Sequence, residues 1–277
     1  MTPAVDAAAD DDLLSSAEAA ALLGVSASTI KRWVDEGELA AERTAGGHRR
    51  IRRAALARLR ERFQAPATVG AAGRLVDLLL ENGPQQRIEA RLLAMRGEGG
   101  SAVGVARAIA PALVELGQRW HDGRISVVQE HLASERLARA LARLVEWTPL
   151  ADGAPRALLT VASGDEHTLG LSLLELVLRE AGWETLWAGR SAPTSDIARA
   201  IADPSQRIAL VAISASIVSR DRRRLAREEE AIGRACARAG ARCVVGGAGA
   251  WMERPRHSLL IRDFADADAR FRQWRAR

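Results

Sequence analysis

Residues 157–170 read ALLTVASGDEHTLG. Residues 157–162 are a short apolar run of strand length, 163–168 are small and polar, and helical spacing starts after Leu169. A buried strand, a polar loop and a helix make the first half of a βαβ unit. Two later runs, IALVAIS (208–214) and ARCVV (241–245), have the same strand character, with helical stretches after them or between them. The pattern predicts an α/β domain over 150–277, a parallel sheet of flavodoxin-like (Rossmann-type) winding. Open sheets of that kind place ligands beyond the carboxyl ends of their strands, and 163–170 falls there.

The chemistry of that loop is specific. A metal-ligating imidazole needs a partner on its other nitrogen to fix its tautomer, and Asp165 stands two residues before His167. Gly170 allows a bulky planar ligand to approach the backbone. From the residues alone, a loop His bonded to a loop Asp accounts for the same pattern. Ser214-Ala215-Ser216 ends the second apolar run. Gly246-Gly247 ends the third, where an ordinary strand-end turn also calls for glycine. Trp183, Trp187 and Trp251 read as core or rim. The run Arg220-Asp221-Arg222-Arg223-Arg224, followed by Glu228-Glu229-Glu230, reads as a solvated helix face, with pairing between subunits as the other option.

Upstream, two breaks divide the chain: QAPATVGAAG (64–73), read as a linker, and TPLADGAP (148–155). Between them 74–149 has helical periodicity, with helices predicted near 74–82, 84–96, 101–122 and 126–147, a four-helix bundle. Val105, Ile109, Leu113, Leu116 and Trp120 form one apolar stripe. Leu137, Leu141 and Leu144 form another, and it runs back through Ser134 to Glu130, beside His131. A carboxylate on that line needs a donor or a ligand if it is buried. At the rim it is simply an acid in a helix's first turn, and His121 by position is a helix-end residue.

Residues 13–63 carry a different signal. Ser15 or Ser16 caps a short helix, Gly24 supplies a turn, and Ser26 caps a second helix holding Thr29, Lys31, Arg32 and Trp33. Gly37 ends it. Arg43-Thr44-Ala45-Gly46-Gly47-His48-Arg49-Arg50 then forms a basic loop between short extended runs, suited to a hairpin on a phosphate backbone. Trp33 reads as core. This is a helix-turn-helix pattern.

LGVSASTIKRW (23–33) and RTAGGHRR (43–50) resemble the winged helix-turn-helix of MerR and excisionase proteins, over about 50 residues. The resemblance implies double-stranded operator DNA as partner, with Thr29, Lys31, Arg32, Arg43, His48, Arg49 and Arg50 as contacts. MerR proteins dimerise through a long helix after the reader, whereas Pro66 and the linker interrupt that place here, so assembly is expected from the later domains. Asp165-x-His167-x-x-Gly170 resembles the lower-ligand signature of cobalamin-binding domains. It implies His167 on cobalt, and a nucleotide tail passing Ser214, Ser216, Gly246 and Gly247. Ser216 departs from the commonest form of that segment.

WHDGRISVVQEH (120–131) resembles the signature of the CarH/LitR family of cobalamin-dependent photoreceptor regulators. There the Trp covers the adenosyl group of adenosylcobalamin with the Glu and His around it. That implies cofactor roles for Trp120, His121, Glu130 and His131, with His121 as an upper cobalt ligand after light. The three resemblances together imply a repressor that forms a homo-oligomer, a tetramer, on DNA in the dark and falls apart on photolysis. A light-independent cobalamin sensor and a corrinoid methyl carrier share parts of this pattern, but the carrier should lack the reader and the Trp–Glu–His cap.

Composition agrees. The 277 residues are 48% hydrophobic and 27% charged, as in a folded multidomain chain, with net charge +5. Of 40 basic residues only Lys31 is lysine; a coding bias explains that, although arginine suits phosphate. With no Tyr and three Phe there is no stacking platform for single strands. Two cysteines make neither a disulfide scaffold nor a four-Cys zinc site. The start, MTPAVDAAADDD, reads as an acidic disordered tail (1–12) and not a signal peptide, and no apolar stretch is long enough to span a membrane. A cytoplasmic protein is expected. With no nucleophile–base pair or phosphate loop, an enzyme is not.

Overall fold

The computed structural model describes residues 13–23, 27–35, 39–44, 46–56, 70–190 and 192–275. The expected acidic tail, Gly24, Ser26, Gly37 and residues 64–69 of the expected linker lie outside them, as do the side chains of Thr29, Arg32 and Trp33. Contacts group the chain into two compact units: Met1–Leu80 with Ala112–Leu132, and Glu81–Pro111 with Ala133–Arg277.

The first unit opens with β1 (Leu13–Ser15), α1 (Ser16–Leu23), α2 (Ala27–Asp35), β2 (Ala41–Arg43) and β3 (Arg49–Arg52). Ser15 is the cap of α1: its Oγ accepts from Glu18 N (3.2 Å), and Glu18 Oε2 accepts from Ser15 N (2.8 Å), a reciprocal capping box. β2 and β3 form the expected hairpin. Thr44 N donates to His48 O (2.9 Å), and Gly47 takes a left-handed φ of 77° that favours glycine. β1 adds a third antiparallel strand in the order β1-β3-β2. Three residues with one buried member, Leu14, are too short to show alternation in sequence. Leu14, Ala19, Ala20, Ile30, Leu39, Ile51 and Leu56 form this core. The same unit holds α3 (Ala71–Leu80), which buries Leu75, Val76 and Leu79.

The remaining bundle helices are α4 (Gln85–Gly99), α5 (Ala102–His121) and α6 (Val127–Glu146). All four bundle helices begin and end within three residues of the sequence reading. Ser126 and Gln129 make a second reciprocal cap at the start of α6.

The sheet comprises β4 (Arg156–Val161), β5 (Glu184–Trp187), β6 (Ile208–Ser214), β7 (Arg242–Gly246) and β8 (Leu259–Ile261). Its helices are α7 (Leu169–Glu180), α8 (Thr194–Ala202), α9 (Arg222–Ala239) and α10 (Phe264–Arg275). All strands are parallel, in the order β5-β4-β6-β7-β8. β4, β6 and β7 are the three runs read from sequence. β5 and β8 are edge strands of four and three residues, too short for a periodicity. Trp183 and Trp251 are buried, as expected, while Trp187 lies at the rim, 38% exposed. Glu180 joins helices of this unit: it accepts from Arg96 Nη2 (2.6 Å) in α4 and from Ala102 N (2.7 Å) at the start of α5.

The charge run is not a wholly solvated face. Glu228 and Glu229 are buried. Glu228 accepts from Ser163 N and Ser163 Oγ, each at 3.0 Å; Glu229 accepts from His257 N (2.8 Å) and Ser258 Oγ (2.9 Å). These carboxylates fasten loops of their own domain, so pairing between subunits does not explain them. Replacing Glu228 with Ala leaves the Ser163 donors without their acceptor. It should lower unfolding free energy by about 1–3 kcal/mol, read as a drop in urea midpoint with unchanged slope. An unchanged midpoint would show that Glu228 holds nothing.

Candidate functional site

The sheet order reverses at β4, whose neighbours are β5 and β6. The loops after β4 and β6 therefore meet at the carboxyl edge, the place where doubly wound sheets bind ligands. Asp165 sits in the first of these loops and has no exposed surface. An ionised carboxylate there must collect donors. Its Oδ1 accepts from His167 N (2.9 Å) and Ser216 Oγ (3.0 Å), and its Oδ2 accepts from Ser216 N (2.6 Å) and Ser219 Oγ (2.7 Å). Burial alone would push the Asp165 pKa up. The N–H groups of His167 and Ser216 and the hydroxyls of Ser219 and Ser216 outweigh it and hold the value at about 2.

His167 Nδ1 lies 3.0 Å from Asp165 Oδ1, with Ser216 Oγ 3.2 Å away. An ionised carboxylate only accepts, so Nδ1 carries the proton and the lone pair remains on Nε2. The His167 side chain is 62% exposed. The result is an oriented imidazole, backed by a buried anion, that offers one nitrogen outward. Gly170 completes the clearance. A Cβ placed there would meet only Ser214 Oγ, 3.9 Å away, so nothing in the protein's own packing demands glycine.

The residues expected along a nucleotide tail separate. Ser214 Oγ lies near both Gly170 and Gly247, 3.2 Å from where a Gly247 Cβ would stand. Gly247 has φ 84°, and a Cβ there would collide with Ala215 O, so the protein's own backbone already requires glycine. The Gly246 carbonyl accepts from Ala215 N (3.1 Å) and Trp251 Nε1 (2.7 Å). Ser216 gives both its polar atoms to Asp165. Ser219, buried and bonded to the same carboxylate, was missed in sequence. It lies 54 residues from Asp165, and only the pairing of β4 with β6 unites them.

In the helical part, Trp120 is 39% exposed at the end of α5, and His121 next to it is half-buried. On α6 the Glu130 side chain is mostly buried and that of His131 mostly exposed, with His131 Nε2 3.7 Å from Glu130 Oε2. Val127, Val128 and Leu132 expose apolar surface on the same helix. Trp120 and the first turns of α6 each expose apolar surface, and Glu130 on α6 is partly covered.

In the reader, Lys31 on α2 is exposed, as are Arg43 and His48, while Arg50 is half-buried. Arg49 differs. Its Nη2 donates to Asp35 Oδ1 (2.6 Å) and Oδ2 (2.8 Å), and its side chain is only 20% exposed. It shares the Ile51 face of β3, so alternation points it at the end of α2. The hydrogen bonds from Arg49, followed by the charges of Arg49 and Arg43, hold the exposed Asp35 carboxyl below its usual range. Arg49 therefore fastens the wing to α2. Thr29 and Arg32 lie on α2, with their side chains outside the described residues.

Among the described residues no three His, Cys, Asp or Glu side chains cluster as a protein-only metal cage. The cobalamin that the sequence resemblance implies would ask the protein for a single nitrogen ligand, and the exposed, oriented His167 fits that role. Among the same residues no helix is long and apolar enough to cross a membrane. Ser219→Ala removes one of the donors on Asp165 and should destabilise the chain by about 1.5–3 kcal/mol in urea at neutral pH. A carboxyl held low contributes stability that is complete above its unfolded value near 3.8 and fades as pH falls toward 2. The gap between variant and parent should therefore close as the pH falls through that window, and a gap independent of pH would contradict this account.

Three family models match the chain: a helix-turn-helix domain over residues 13–63 and B12 binding domains over 75–145 and 155–264. The HTH-type transcriptional repressor CarH of Myxococcus xanthus is 35% identical over 94 residues, 34% of this chain and 31% of that protein. The repressor CarA of the same organism is 35% identical over 85 residues, 31% of this chain and 28% of that protein. Each match thus spans about a third of the relative's length. The monomethylamine corrinoid protein of Methanosarcina barkeri shares the fold at TM-score 0.55 and 16% identity, covering 75% of this chain and 99% of that one. The chain thus carries a helix-turn-helix domain ahead of two B12-binding domains, and part of it is similar to the CarH and CarA repressors.

Proposed function

We propose that the chain is a transcriptional repressor that uses adenosylcobalamin as its light-sensing group. The observation that carries this reading is His167, oriented by the buried Asp165 at the sheet's switch point, in one chain with a DNA reader. His167 Nε2 would hold the cobalt of the bound cofactor. Gly170 clears the face of the ring, and Ser214 with Gly246 and Gly247 borders the nucleotide tail. Ser216 acts through Asp165 as a positioning residue. Trp120, Glu130 and His131 cover the adenosyl side, and His121 stands ready for the upper cobalt site after illumination. When bound, adenosylcobalamin supplies a cobalt–carbon bond that visible light breaks.

The chain does the rest. In the dark the covered cofactor stabilises a homo-oligomer, a tetramer as in the family resemblance, so several readers grip one operator together. Trp120 and Glu130 would cover the adenosyl group in the dark, and its loss on illumination would release the assembly. Several weak readers on one duplex bind about 10²–10⁴ times more tightly than one, so loss of assembly alone releases DNA. The domains follow the chain: reader 13–63, linker 64–73, cap 74–149, cobalamin domain 150–277. The reader ahead of the B12-binding domains favours a regulator over a methyl carrier, and a regulator is not an enzyme.

The direct test loads the full chain with adenosylcobalamin in the dark and follows absorbance and size-exclusion mass before and after green light. A retained chromophore, a spectral change and a fall in mass are expected, and His167→Ala should lose the signature of a protein ligand on cobalt. Retention with no change in mass would support a light-independent cobalamin sensor instead. For the reader, Arg50→Ala should weaken binding to operator and random duplex alike and reduce the slope of log affinity against log salt by about one. An effect confined to operator sequence would make Arg50 a base contact.

A further inference from the structure

A cavity of about 270 Å³ opens one residue past the His167 loop. Thr168 lines it, and Ser172 and Glu175 continue down the same face of α7. The opposite wall is Ala138 and Ala142 of α6, whose small side chains leave the space. Trp187, at the end of β5, and Arg190, in the exposed segment after it, close the remaining side.

Glu175 is the unusual member. Thr185 Oγ1 donates to its Oε1 at 2.8 Å, and the Trp187 side chain hydrogen-bonds the same carboxyl. Burial pushes the Glu175 carboxyl above its ordinary range, against those two bonds and the charge of Arg179. A carboxylate has about four acceptor positions. Two protein donors leave it able to take more, on the cavity side. The cavity thus has an acceptor at its inner end, a donor-only guanidinium at its rim and apolar walls between. A ligand ammonium would meet Arg190, and a ligand carboxylate would meet Glu175. A neutral group that both donates and accepts satisfies both ends.

We propose that this cavity receives a primary carboxamide arm from the edge of a bound corrin, its N–H donating to Glu175 and its carbonyl accepting from Arg190. The inference rests on the cobalamin reading and adds a specificity residue to it. Corrin rings carry such arms around their rim, and the cavity begins beside the residue assigned to the ring's metal. Glu175 thereby distinguishes an intact amide arm from one hydrolysed to the acid.

The experiment titrates the full chain with cobalamin and with each monocarboxylic derivative in which one peripheral amide has become a carboxylate, reading the absorbance of bound corrin. Wild type should reject one of these isomers by about tenfold or more relative to cobalamin. Glu175→Gln keeps the shape but removes the charge, and should narrow that gap. Glu175→Ala should weaken cobalamin itself while the spectral signature of His167 ligation persists. Corrin binding that is indifferent to both substitutions, with no isomer rejected, would overturn this inference alone. Failure of the wild-type chain to bind any corrin would sink the cobalamin reading and this inference with it.

Discussion

A carboxylate without exposed surface, placed at the carboxyl end of β4, governs the α/β part of this chain. Left unpaired, such a group costs more than a small domain can spare. Asp165 is tolerated because donors converge on it from its own loop, from Ser216 and from Ser219. Those serines follow β6, so the bonds form only when β4 and β6 lie side by side. The strand order and the loop chemistry therefore select each other. His167 inherits its orientation from this arrangement, since its Nδ1 faces an anion that cannot move. Ser163, two residues earlier, is fastened separately by the buried Glu228. The loop is anchored from two elements, and this rigidity suits the ligand role proposed for His167.

Legibility followed range along the chain. The three central strands and four bundle helices showed in sequence because each carries its own periodicity. Asp165 and His167 were readable because ligand and orienting partner are two residues apart. Ser219 and Glu228 were not, because their partners lie 54 and 65 residues away and neither type at those positions signals a bond. Arg49's pairing with Asp35 was not legible either, for a related reason. Its neighbours suggested a basic wing, but alternation along β3 turns it onto the Ile51 side, where Asp35 waits. The Gly-Gly pair shows the converse. A local signal was present, yet contact with Ala215 O explains Gly247 as fully as a ligand would. Gly170 has no such internal reason, which makes it the more informative glycine.

The same contrast bears on how control is divided in the proposed function. In the reader, Asp35 engages Arg49 and partly neutralises Arg43, with Arg43 Nη2 at 3.5 Å. Glu42 likewise pairs with Arg52. These acids tie the wing to its neighbours, and they also subtract positive charge from the face proposed to meet phosphate. Affinity for DNA rises with the number of phosphates neutralised, so each internal pair weakens a lone reader. A reader held weak by its own ion pairs is suited to control by assembly. In the proposed function a lone copy would dissociate readily, whereas several joined copies would raise one another's effective concentration. Under that proposal, free arginines would let single copies hold DNA after the oligomer fell apart, and a cofactor event in another domain would have little to switch.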